Sequence, residues 1–270
     1  MKARALPHKP DKKKIHKFEK KMLDLLPKFR TSLRNKLYKE KPRLIGEFIE
    51  RGLSLAHVGY LKGLPLNKIR DRLMDTANIA EKACLAGYGF KNPYEYYMTW
   101  WLGILLEHKK LIKALNRVSK DKRGLMPFDY LVEGMIPDMI SVLREFSLGT
   151  RKKKEKLGAL EAFLKINLGE PSRVVEARRY EPLVVGLDAI MNKDSVKWNK
   201  ALKKRKERWI KEASKYPGMA WFILDIELLG LMQLAKDGGL KLKSDNPYAP
   251  PALLEAKGSK RRIGLGKSFS

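Results

Sequence analysis

Apolar residues recur every three or four positions along most of this chain, and that spacing predicts helices. From Lys13 to Tyr38 the series Phe18, Met22, Leu25, Phe29, Leu33 and Leu37 marks one amphipathic stretch. Pro27 lies inside it and predicts a kink or two shorter helices. Leu44 to Tyr60 is a second helix, closed by a turn at Gly63 and Pro65. Asn67 to Ala86 carries Ile69, Leu73, Ala77, Ala80 and Ala83, a small-residue seam suited to close helix packing. Gly87-Tyr88-Gly89 ends it.

Asn92-Pro93 opens the next helix, with Asn as cap and Pro at the first position. Its pattern runs through Trp100, Trp101, Leu105 and Ile112 to about Val118. A loop over Lys120–Gly124 leads to Pro127–Phe146, with a break expected near Pro137. Four more helices are predicted: Glu155–Leu168, Ser172–Met191, Ser195–Tyr216 and Gly218–Lys236. Asp194 or Ser195 caps the third of these, and Asp237-Gly238-Gly239 stops the fourth. Leu240-Lys241-Leu242 reads as briefly extended, Asp245 to Pro251 as turns, and Leu253 as the centre of one short helix.

No useful stretch has strand period. The pattern predicts an all-α fold of about nine helices, packed as antiparallel pairs in a bundle or a repeat-like stack. A fixed 34-residue repeat is not detectable. The organisation read from the sequence is a basic N-terminal tail and helix (1–43), a single helical domain (44–256) and a disordered basic tail (257–270).

Charge changes this picture more than composition does. The 270 residues are 44% hydrophobic, enough for a sizeable core, and the net charge is +28. Residues 1–43 alone carry a net +12, whereas 44–150 carry +3. The excess sits in the two ends, in Arg151–Lys156 and on the helix after Asp194. Such a field favours acidic partners of any kind, whether nucleic acid, anionic membrane or protein. The only cysteine is Cys84, so no intramolecular disulfide forms, and a reducing cytoplasmic location is expected. The longest uncharged run, Tyr96 to Leu106, is about half of what a membrane span needs. The basic N-terminus has no apolar core or cleavage site after it, so no secretory signal is read.

Local signatures of chemistry are missing. His8, His16, His57 and His108 show no ligand spacing, so no metal is expected. There is no Walker loop, no GxGxxG opening a helix and no GxSxG elbow, and no cofactor is expected. The reading is a binding protein and not an enzyme.

Four features are candidates for the binding surface. The aromatic cluster around Tyr94, Tyr97 and Trp101 contains typical interface anchors, although core packing is the commoner fate of such a cluster. Arg205 falls on the apolar stripe of its helix, between Leu202 and Trp209. It is either an anion-binding group or the partner of Asp225 or Glu227 on the following helix, because a buried charge needs a counter-charge. The outer face of the same helix, including Lys204 and Arg208, suits phosphate backbone or is a solvated surface. The basic N-terminal helix suits an anionic membrane surface or packs on the body.

One stretch is more specific. From Gly158 to Leu254 the chain reads Leu160-Glu161-Ala162-Phe163, Leu187-Asp188-Ala189-Ile190, and Asn192-Lys193-Asp194-Ser195 opening the basic helix. Tyr216-Pro217, an apolar helix, Gly238-Gly239-Leu240 and Asn246-Pro247-Tyr248-Ala249-Pro250-Pro251-Ala252-Leu253-Leu254 follow. This order resembles the immunity protein 49 family of bacterial polymorphic toxin systems, whose members are all-helical and end in a Tyr-x-Pro-x-x-Leu segment. The resemblance is clear over the C-terminal third and loose over Asn67–Val118. The family often carries a histidine on the basic helix, where this chain has Arg205 or Arg208, and the basic ends go beyond the resemblance. It implies a cytoplasmic antidote that binds and occludes a cognate toxin. The positive charge then implies a target with an acidic face, or contact away from any nucleic-acid groove. The alternative reading is a basic helical nucleic-acid-binding protein that uses its ends.

Overall fold

The computed structural model describes residues 6–7, 9–34, 43–85, 90, 93–118, 135–242 and 244–257. These contain helices and no strands. In order they are α1 (Lys12–Arg34), α2 (Arg43–Leu61), α3 (Leu66–Leu85), α4 (Pro93–Leu105), α5 (Lys109–Val118), α6 (Met135–Leu148), α7 (Lys153–Gly169), α8 (Val174–Asn192), α9 (Ser195–Lys215), α10 (Ile226–Asp237) and the short α11 (Ala252–Glu255). A single 3-10 turn, Ala220–Phe222, precedes α10. The expected turn at Gly87-Tyr88-Gly89, the Asn92 cap, the Lys120–Gly124 loop and the tail from Gly258 lie outside the described residues.

The helices form hairpins, α2 with α3, α6 with α7 and α8 with α9, and each hairpin is tightly packed. The turns that close α2, α4, α6, α8 and α10 share one design. A residue with left-handed backbone follows the first helix: Gly63 (φ 76°), Glu107 (φ 52°), Gly149 (φ 68°), Lys193 (φ 53°) and Gly239 (φ 80°). The next N–H then reaches back five residues: Leu64 to Gly59, His108 to Gly103, Thr150 to Glu145, Asp194 to Ala189 and Leu240 to Ala235. This is the Schellman closure, which satisfies carbonyls that a helix end leaves open. The five turns recur 42 to 46 residues apart. Among the described residues the turns therefore recur with a longer period than 34 residues.

The stack closes on itself. Helix α4 packs against α6 and, most extensively, against α10, while α8 contacts both α6 and α10. Gly230 makes the α4–α10 approach possible: a Cβ there would lie 2.5 Å from the Trp101 ring and 3.1 Å from its carbonyl oxygen. Helix α4 is thus enclosed on all sides, and every residue from Tyr96 to Leu106 is buried. A helix apolar all round has no solvent face to find.

Several boundaries differ from the sequence reading. The expected Pro93–Val118 helix is two helices, because His108 Nδ1 accepts the Leu111 N–H (3.1 Å) and starts α5 afresh. The expected Gly218–Lys236 helix begins only at Ile226, because the Asp225 side chain caps it by accepting the Leu228 N–H (3.0 Å). Pro27 lies within a continuous α1. Pro137 sits in the first turn of α6, where its missing N–H costs no helical bond. Leu240–Leu242 joins no sheet. Helix α1 docks on the body through buried Ile15 and through Glu19, which accepts from Lys62 of the α2–α3 turn.

Candidate functional site

The inner helices α4, α6, α8 and α10 end together, so the body has two unlike ends. Each of the four carries an acid in its first turn: Glu95, Asp138, Glu176 and Glu227. Negative charge there complements the positive end of each helix dipole.

At this N-terminal end lies the largest buried charge cluster. Arg205 of α9 is 2% exposed. It donates from Nε and Nη2 to the two oxygens of Asp225, at 2.6 and 2.9 Å, and also from Nη2 to Glu227. Its Nη1 donates to the Arg179 carbonyl at 3.3 Å, and its guanidinium lies 4.8 Å from the Trp209 ring centre. The alternative of pairing with Asp225 or Glu227 is what the structure contains; Arg205 engages both. Arg179 adds a second cation, 4.0 Å from Glu227 and stacked on Tyr94 and Tyr180 at 5.5 and 5.6 Å. Burial opposes ionisation of both carboxylates. At Glu227 the two guanidinium groups overcome it and hold the pKa below the ordinary value, whereas at Asp225 burial prevails and pushes the pKa up. Burial, reinforced by Glu227, drives the Tyr97 phenol well above its usual range. The two arginines stay charged here, and through their hydrogen bonds and ion pairs the cluster joins α4, α8, α9 and α10.

At the opposite end the last turns of α4, α6, α8 and α10 surround a groove of about 610 Å³. Its floor is apolar: Ile104, Ile112, Phe146, Leu148, Ile190, Met191 and Leu234. Its rim carries Lys109, Lys113, Lys153 and Lys193 against Glu107 and Asp237. Lys153 Nζ lies over the Phe146 ring at 5.7 Å. Two of the left-handed residues, Glu107 and Lys193, stand on this rim. Of the four lysines only Lys193 stands at a helix C-terminus, where the dipole favours a cation; Lys109 and Lys153 open α5 and α7.

The residues singled out from the sequence divide cleanly. Tyr97, Trp101 and Arg205 are buried and offer no surface to a partner in this conformation. Tyr94 is half-buried, and its hydroxyl receives a hydrogen bond from Arg179 (3.3 Å). Lys204 is exposed and paired with Glu181 at 2.9 Å, and Arg208 donates to the Val175 carbonyl at 3.3 Å. Helix packing hides the aromatic anchors because α4 is central. The groove went unseen because its walls come from four helix ends far apart in sequence; the only trace there is the Gly-containing helix stops.

Other reactive types are accounted for. Cys84 is buried, and burial pushes its thiol up to about 12, which removes thiolate chemistry. Among the described residues no group of three or more His, Cys, Asp or Glu is placed to hold a metal ion. No described helix is long and apolar enough to cross a membrane. Compared with protein-family models, curated proteins and solved structures, the chain matches none.

Proposed function

We propose that this chain is a cytoplasmic binding protein that neutralises a protein toxin by occluding it, as its resemblance to the immunity protein 49 family implies. The observation carrying this reading is that the resembling segment folds as one locked unit. Tyr248 is fully buried, and its carbonyl accepts the Asp225 N–H at 2.8 Å. Tyr60 donates to the Pro247 carbonyl at 2.7 Å, and Arg70 to the Leu253 carbonyl at 3.2 Å. Leu253 and Leu254 are buried against the stack. The charged side chains of this unit serve to fix α8, α9 and α10, which supports a preformed surface for a partner over a reaction centre. The test is co-expression with the toxin domains encoded beside the chain's own gene. Restored growth is expected, and continued killing despite abundant folded protein rules the reading out.

Nucleic acid is the second reading. Lys200, Lys203 and Lys211 of α9 are exposed and support it. Lys204 and Lys206 are instead tied to Glu181 and Asp245, which shortens the free basic stripe. Binding through several phosphates weakens steeply between low and moderate salt. Tight DNA or RNA binding with that slope, still measurable at moderate salt, decides for this reading.

A further inference from the structure

We infer that the lysine-rimmed groove at the C-terminal ends of α4, α6, α8 and α10 is the docking site for an acidic amphipathic helix of the partner protein. The inference rests on the binding-protein reading and names the surface and the chemistry it takes.

Three observations select this occupant. The volume, about 610 Å³, lies within the range of pockets that accept a ligand's apolar part. The floor is apolar and includes Leu148, which is 37% exposed although it caps a packed helix. An amphipathic helix fills such a groove with side chains at i, i+3 or i+4, and i+7. The third observation is where the charge sits. The rim lysines come from separate elements, with Lys109 and Lys113 one turn apart on α5, Lys153 at the start of α7 and Lys193 at the α8–α9 turn. Four ammonium groups outnumber the carboxylates of Glu107 and Asp237. A fatty acid brings one carboxylate and needs one cationic cluster. Cations spread around an apolar floor fit carboxylates spread along a peptide.

The groove is also preformed. Its walls are helix ends whose carbonyls are closed by their own turns. Little ordering is left to perform when a partner arrives.

The probe is a fluorescein-labelled, helix-forming peptide of about 16 residues, with leucines on one face and glutamates on the other. Its anisotropy is followed against the full chain at moderate salt, beside a scrambled peptide of equal composition and beside palmitate. The patterned peptide is expected to bind roughly tenfold or more tightly than the scrambled one. The K109E/K113E double variant and the L148E variant, all at exposed positions, are expected to weaken it by roughly tenfold or more with unchanged melting. K203E/K211E on α9 is expected to leave it unchanged. Equal binding of the scrambled peptide, binding untouched by the groove variants, or palmitate binding in place of the peptide overturns the inference. The two readings fail separately. Toxin rescue that survives K109E/K113E removes the groove alone. Patterned-peptide binding without rescue by the wild-type chain removes the antidote reading alone.

Discussion

Arg205 and Asp225 face each other across α9 and α10 with two parallel hydrogen bonds, and the same carboxylate caps α10 by accepting the Leu228 N–H. One side chain thus starts one helix and anchors another. Removing the guanidinium strands Asp225 and Glu227 in the interior with only the more distant Arg179 nearby. Breaking a buried pair from one side costs about 3–5 kcal/mol. Arg205→Ala is therefore expected to lose stability on that scale in urea titration, and Arg205→Lys to lose part of it, since an ammonium cannot bond both carboxylates with the same fork. An Arg205→Ala chain that unfolds at the parent's midpoint contradicts this account of the cluster.

Acid sensitivity should trace to His57. It is 1% exposed, its Nδ1 accepts the Leu224 N–H at 3.0 Å, and burial lowers its pKa from 6.5 to about 3. The unfolded chain takes up a proton as pH falls through 6.5; the folded chain does not until about 3. Stability is thus full above 6.5 and falls on acidification, by about 1.4 kcal/mol per pH unit from this residue. His57→Asn keeps an acceptor and removes the titration. Comparing the two chains' stability between pH 6.5 and 5 should show a shallower slope for the variant; parallel slopes refute the assignment.

The left-handed turns offer an experiment in the other direction. Gly63, Gly149 and Gly239 adopt this backbone without strain, while Glu107 and Lys193 adopt it with a Cβ in place. That conformation costs a non-glycine residue about 1–2 kcal/mol, partly offset by the greater unfolded freedom of glycine. Glu107→Gly and Lys193→Gly are each expected to raise stability by about 0.5–1 kcal/mol, read from the urea midpoint. A loss of stability in both shows that their side chains compensate the strain locally.

Gly230→Ala tests the closure of the stack. The added methyl meets Trp101, whose ring is fully buried and held edge-on against Tyr97 at 6.2 Å. With no room to move, overpacking costs about 1–3 kcal/mol. Gly158→Ala, where a Cβ meets nothing within 4 Å, is the control and should stabilise its helix by about 0.5–1 kcal/mol. Both changes are read from thermal melts, and equal effects of one sign remove the claim of a tight α4–α10 contact.

Much of this was legible from spacing and caps. The all-α class, the Pro93 start, the Asp194 cap and the stop after Asp237 follow from local chemistry. The Arg205 partnership was legible because a cation on an apolar stripe demands a carboxylate nearby. The break at Glu107 was not, since neither Gly nor Pro marks it and a glutamate occupies the turn. Asp225 falls inside the expected Gly218–Lys236 helix, yet it caps the helix that begins at Ile226. The hairpin period was obscured for the same reason as the Glu107 break: two of the five turns lack the glycine that signals them. Tyr97 and Trp101 could be read as anchors or as core, and core packing, the commoner fate, is what the structure contains; sequence shows what a side chain is but not what surrounds its helix.

The hairpin turns have a consequence for where the chain tolerates change. Beside the groove, successive helices are joined by two to four residues: α4 to α5, α6 to α7 and α8 to α9. Away from the groove, α7 is joined to α8 by four residues. A residue added after Leu105 or Leu148 would push a lysine out of register with the floor beneath it. A segment added between α7 and α8 leaves those turns as they were. An insertion at the α7–α8 join thus adds length without changing the groove, while one in a groove turn changes its dimensions.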